Sequence, residues 1–116
     1  MTERPLILVI EDQYFLQADV VQALTAAGFE ADAVFSGEEA LTLFASGTRP
    51  YKALIADVRL GGSLTGWEVA RRIREKDSAF PVIYLTASYT DQKQLLADLG
   101  DKVTRPAELK VLELRG

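Results

Sequence analysis

The chain has 116 residues, 48% of them hydrophobic and 26% charged, with a formal net charge of −4. That is one domain's length, with a core able to hide roughly 65% of the unfolded surface. It contains no cysteine and no histidine, which excludes disulfides, thiolate or imidazole metal sites, and Ser-His or Cys-His nucleophile pairs. The chain therefore cannot carry phosphohistidine itself. The acidic balance argues against a nucleic-acid surface, which needs a basic footprint. The first apolar run, Leu6 to Ile10, is too short for a signal segment or a membrane span, so a cytoplasmic place is expected.

In chain order, Leu6 to Ile10 is a continuous apolar run, as in a strand covered on both faces. A helix follows, with Leu16, Val20, Ala23, Leu24 and Ala27 on one stripe and Gly28 closing it. Phe29 to Phe35 alternates apolar and acidic residues, a half-buried strand. Ser36 and Glu39 have capping-box spacing and open a short helix through Phe44. Tyr51 to Ala56 is the third strand, stopping at Asp57. A glycine-rich loop, Arg59 to Leu64, leads to a second capping pair, Thr65 and Glu68, and a helix through about Lys76 whose apolar positions are Trp67, Val69, Ala70 and Ile73.

Pro81 to Leu85 is the fourth strand, followed by Thr86-Ala87-Ser88. A polar helix is expected over Asp91 to Leu99, a short fifth strand over Lys102 to Thr104, and a last short helix over Ala107 to Leu114. The alternation is βα repeated five times. It predicts a parallel sheet flanked by helices, with right-handed crossovers.

The chemistry-bearing residues fall at strand ends. Glu11 and Asp12 follow the first strand and Asp57 ends the third. In an open α/β sheet, ligands bind outside the carboxyl ends of the strands, where the strand order reverses. Three carboxylates gathered there repel one another unless a cation joins them. All-oxygen ligation suits Mg²⁺, which binds through one or two carboxylates and keeps waters for a phosphoryl partner. Each residue also has a plain structural reading: strand-ending Asp is a common turn former, Glu-Asp pairs favour helix N-termini, and Thr86 is a β-branched strand residue. Arg105, before Pro106, is a cation on the same sheet edge or else a solvated side chain ahead of a turn.

Taken together, Glu11-Asp12 after strand one, Asp57 after strand three, Thr86-Ala87 after strand four and Arg105-Pro106 after strand five resemble the response-regulator receiver domain of bacterial two-component signalling. The resemblance spans essentially the whole chain. The stretch Leu60 to Ala70 is similar to the corresponding loop of stand-alone receivers. The resemblance implies a flavodoxin-like fold with strand order 2-1-3-4-5, one receiver domain over 1–116 and no output domain. It implies a phosphoacceptor that takes part in its own phosphotransfer and dephosphorylation rather than a turnover enzyme.

It also implies roles. Asp57 would accept the phosphoryl group from a histidine kinase or histidine phosphotransferase. Asp12 and Asp57 would ligate Mg²⁺, Glu11 through water, with the Arg59 main-chain carbonyl as a further ligand. Thr86 and the Ala87 backbone N–H would hold the phosphoryl oxygens, with Arg105 beside them. A downstream protein partner is implied, and neither nucleic acid nor membrane.

The chain departs from the family at Arg105, where the family carries lysine, and at Lys102, in place of the usual aromatic switch residue. Tyr84 or Tyr89 is a candidate to couple to Thr86 instead. A last helix this short depends on packing through Leu109 and Leu112. An incompletely covered edge there would leave apolar surface for a partner or a homodimer. Two other readings stay open: a phosphorylation-independent binding module, and a Mg²⁺-dependent phosphohydrolase. The hydrolase reading lacks the second acid expected two residues past Asp57, where Arg59 stands.

Overall fold

A computed structural model describes residues 4–58, 64–85 and 112–113. Its strands are β1 (Leu6–Ile10), β2 (Glu30–Val34), β3 (Tyr51–Asp57), β4 (Val82–Leu85) and β5 (Leu112–Glu113); its helices are α1 (Tyr14–Ala26), α2 (Gly37–Ser46) and α3 (Gly66–Lys76). The strands form one sheet in the order β2-β1-β3-β4-β5. All four pairings are parallel. Parallel strands need crossovers, and α1, α2 and α3 supply those that link β1 through β4.

Alternating residues of β1, β3 and β4 feed two cores. Leu6, Leu8, Ile10, Leu54, Ala56, Val82 and Tyr84 pack with Ala40 of α2 and Val69, Ala70 and Ile73 of α3. Ile7, Val9, Ala53, Ile55, Ile83 and Leu85 pack on the other face with Val20 and Leu24 of α1. That double coverage is why β1, β3 and β4 read as unbroken apolar runs: both sides of the pleat are dry. Fully burying each of these Leu and Ile side chains contributes about 1.5–3 kcal/mol.

Local signals set the helix ends. Ser36 Oγ accepts from the Glu39 N–H at 3.2 Å, and Thr65 Oγ accepts from the Glu68 N–H at 3.2 Å. Each satisfies one of the orphan donors of a helix start. Glu68 does not close the reciprocal half of its capping box, because its carboxylate is gripped by Arg71 at 2.7 and 3.0 Å. Gly28, at φ 94°, turns the chain out of α1 in a left-handed conformation that costs glycine nothing.

Two expectations are corrected. The stripe on α1 is Gln17, Val20 and Leu24; Leu16 is 40% exposed and Ala27 is exposed too. The helix phase is set by a polar residue that has buried partners, which outweighs an apolar residue that does not. The expected last helix over Ala107 to Leu114 does not hold at its end: Leu112 and Glu113 are strand, paired to Ile83 and Tyr84. Val111-Leu112-Glu113-Leu114 fits a period of two as well as one near 3.6. The backbone edge of β4 needs hydrogen-bond partners that a helix cannot give. The expected strand over Lys102 to Thr104 and helix over Asp91 to Leu99 lie outside the described residues.

Candidate functional site

The order β2-β1-β3 reverses direction between β1 and β3, so the crevice lies beyond their carboxyl ends. Glu11 and Asp12 follow β1 directly and Asp57 is the last residue of β3. One carboxylate oxygen from each of the three lies within 4.8 Å of the others. Residues 45 positions apart in the chain thus meet because their strands are neighbours in register, Ile10 opposite Ala56.

The three acids are not alike. Glu11 is only 2% exposed; Asp57 is half-buried and Asp12 exposed. Burial raises the Glu11 carboxyl, opposed by the Gln13 N–H that donates to Oε2 at 3.0 Å, while the Asp57 charge and contacts with Asp57 and Asp12 push it further, to about 8. A carboxyl so far above its ordinary 4.5 marks a site short of positive charge. The donor set is all hard oxygen. Both features fit a small divalent cation such as Mg²⁺, which Asp12 and Asp57 could hold with Glu11 beside them.

Two neighbours fix this geometry, and neither stood out in the sequence. Gln17 is buried on α1, and its Nε2 donates to the carbonyls of Glu11 at 3.2 Å and Val34 at 2.9 Å. It ties the ends of β1 and β2 to the helix. Gly66, the first residue of α3, lies flat against Asp57: a Cβ there would overlap the Asp57 carbonyl oxygen. Glycine is a poor helix former, so its place just after the Thr65 cap was the available signal. Across the strand, Asp57 pairs with Leu85, and the Val58 N–H donates to the Leu85 carbonyl at 3.1 Å. Thr86 is the next residue in sequence. Thr86, Ala87, Arg59 and Arg105 lie outside the described residues, as do Lys102 and Tyr89.

The sequence matches the family model for the response regulator receiver domain over residues 7–112. The chain belongs to that family. It is a receiver domain of two-component signalling. Similar proteins include the regulatory protein VanRB of Enterococcus faecalis, 33% identical over 109 residues, covering 91% of this chain and 48% of that protein. The transcriptional regulatory protein DltR of Streptococcus agalactiae is 35% identical over 113 residues, covering 94% of this chain and 49% of its own. The receiver spans about half the length of these curated relatives. Among solved structures, a response regulator receiver protein from Sinorhizobium medicae superposes with a TM-score of 0.82 at 28% identity, over 90% of this chain and 98% of that one. No helix among the described residues is long and apolar enough to cross a membrane.

Proposed function

We propose that this receiver accepts a phosphoryl group on Asp57 in a Mg²⁺-dependent reaction and passes the signal on through protein contacts. The observation that carries the reading is the meeting of Asp57 with Glu11 and Asp12 at the strand-order reversal, oxygens within 4.8 Å. An Asp57 carboxylate oxygen attacks the phosphorus of a donor such as phosphohistidine. The P–O bond forms as the P–N bond breaks, and the imidazole leaves with the electron pair and takes a proton from solvent. Bound Mg²⁺ would supply charge neutralisation for the carboxylates and the incoming phosphoryl oxygens.

The chain's own residues position the rest. Gly66 and the β3–β4 ladder fix the Asp57 main chain; Gln17 fixes the main chain at Glu11. In this reading the Thr86 hydroxyl and the Ala87 N–H hold phosphoryl oxygens, the Arg59 carbonyl completes the metal ligands, and Arg105 supplies the cation that lysine gives elsewhere in the family. Arginine keeps the charge while offering a planar fork.

A kinase or phosphotransferase must bring its phosphohistidine to this end of the sheet, and the surface there suits a protein partner. Among the described residues, the exposed large hydrophobic ones are Tyr14, Phe15, Leu16, Phe35 and Trp67. They open α1, follow β2 and open α3, so all sit at the carboxyl rim around the acids. Tyr14 and Phe15 stack edge to face at 5.5 Å, and Phe15 is 82% exposed. Aromatic residues ringed by polar ones are the usual make-up of an interface centre.

The test is intact-mass analysis after incubation with acetyl phosphate, with and without Mg²⁺, beside Asp57→Asn. One phosphoryl group requiring both Mg²⁺ and Asp57 supports the reading. No adduct, with Mg²⁺ binding confirmed separately, leaves the phosphorylation-independent binding module.

A further inference from the structure

Arg72 and Lys76 stand four residues apart on α3, and neither holds an acid to itself. The acid that faces Arg72 is Glu68, whose Oε1 lies 3.6 Å from the Arg72 Nε, beyond hydrogen-bond range. That oxygen is already taken by Arg71 at 2.7 Å. Glu75, between the two cations, is held by Arg71 at 2.6 Å. Lys76 forms no ion pair among the described residues. Both side chains are exposed. A cation in the last turn of a helix complements the dipole, which accounts for Lys76 but not for Arg72, a full turn earlier. Like charges at this spacing repel and weaken the helix that carries them, unless an acid comes between them.

The two cations flank a cavity of about 250 Å³, lined by Leu41, Phe44, Ala45, Arg72, Glu75 and Lys76. Every lining residue belongs to α2 or α3. α2 packs on β1 and β2 and α3 on β3, so the groove lies over β1 and β3, with α3 between it and β4. Phe44 packs edge to face on the buried Phe80, ring centroids 5.4 Å apart at 82°, which fixes its ring. Leu41 and Phe44 are half-buried and Ala45 is exposed. Apolar surface therefore remains at the floor of a groove with charged sides. The volume falls below the roughly 300–1,000 Å³ of small-molecule sites. It suits one large side chain of a partner, the kind of anchor that dominates interface energetics.

We propose that the α2–α3 groove docks an acidic segment of a partner protein, with one aromatic or leucine side chain in the cavity and carboxylates on Arg72 and Lys76. The two cations are about 6 Å apart along the helix axis, the spacing of acids one turn apart on a docked helix. The whole chain carries −4, so the groove is a local reversal of sign. An acidic partner is repelled by the rest of the surface and admitted here, which orients it. Arg72 and Lys76 lie roughly 9–15 Å along α3 from Gly66, the residue that packs on Asp57. A segment docked here leaves Asp57 uncovered and needs no phosphoryl group.

The experiment is an NMR titration of the full chain with an acidic pentapeptide, a phenylalanine with two glutamates on each side. One control peptide carries glutamine for every glutamate, the other alanine for the phenylalanine. Saturable shifts of the Phe44, Ala45, Arg72 and Lys76 amide signals are expected, with each control binding about fivefold more weakly. Arg72→Gln combined with Lys76→Gln should weaken the parent peptide by a similar factor, and added salt should weaken it in the unaltered chain. No saturable shift overturns the proposal, as does equal binding of the glutamine control. Shifts confined to Tyr14, Phe15 and Trp67 would place the peptide at the carboxyl rim and overturn it too. Shifts at the groove that follow the protein's own concentration, with no peptide present, would give the groove to a second copy and overturn the acidic partner. The peptide comparison is made on the unaltered protein, so it stands even where a variant fails to fold.

Discussion

Gly66 lies directly on the main-chain carbonyl of Asp57, with no room between them for a single methyl group. The start of α3 and the end of β3 are therefore one packed unit. Gly66→Ala forces either the helix or the strand end to move, and overpacking of this kind typically costs about 1–3 kcal/mol. We expect that loss in urea unfolding, together with at least a tenfold slower formation of the Asp57 adduct. Gly47→Ala is the comparison: its φ of 67° strains alanine, but nothing lies within 4 Å of the new Cβ. It should cost about 1–2 kcal/mol of stability and leave the adduct rate unchanged. Equal effects of the two on the adduct rate would separate Gly66 from the site.

Gln17 should matter more than an isolated polar side chain on a helix suggests. Its amide serves the Glu11 and Val34 carbonyls from a buried position. Gln17→Leu fills the space but takes its donor from the Glu11 carbonyl, while the Val34 carbonyl keeps the Glu11 N–H at 3.1 Å, and a stranded buried polar group costs about 1–3 kcal/mol. Chemical denaturation of the variant should show a loss in that range. A neutral outcome would mean that water takes over both bonds.

The raised Glu11 carboxyl makes stability fall as pH rises. Between its ordinary 4.5 and the folded value of about 8, the folded chain holds a proton that the unfolded chain has released. The Glu11 contribution is therefore fully present below 4.5 and lost as pH climbs through 8. Metal-free melting temperatures should drop across this window, and Glu11→Gln should flatten the drop. Mg²⁺ competes with the same proton, so its apparent affinity should rise with pH up to about 8 and then level off. Calorimetric titrations at pH 6, 7, 8 and 9 check this; a pH-independent affinity would argue against Glu11 as a partner of the ion.

At the start of β3, Asp32 gathers Arg49 and Tyr51, whose hydroxyl donates to Oδ2 at 2.7 Å. The Arg49 hydrogen bond holds the Asp32 carboxyl below its ordinary 3.8. Stability from this group is present above that value and lost as pH falls through the lowered one. The pair is partly solvent-screened, so Asp32→Ala should cost about 1 kcal/mol or less. Adduct formation at Asp57 should be untouched, as measured by the intact-mass assay.

Much of this was legible because two signals coincide at the strand ends. The runs Leu6 to Ile10, Tyr51 to Ala56 and Pro81 to Leu85 could only be buried strands, and the acids that stop two of them had to share the edge their parallel order creates. Gln17 was not legible, since a glutamine next to Leu16 looks solvated until the strand carbonyls it serves are in view. Trp67 occupied an apolar helix position, yet it is 43% exposed and lies against Tyr84. Leu112 and Glu113 satisfied two periodicities at once, and only the pairing with β4 selects the strand.

The aromatic rim has a consequence for timing. Tyr14, Phe15, Phe35 and Trp67 are exposed at the start of α1, the end of β2 and the start of α3, on the sheet edge that carries the carboxylates, so a protein seated there would cover Asp57. A donor and a target that both use this rim must take turns. If Asp57 accepts a phosphoryl group as proposed, the receiver would work as a shuttle, its throughput set by how quickly one visitor leaves before the acyl phosphate decays. Tighter grip at the rim would slow the relay rather than strengthen it.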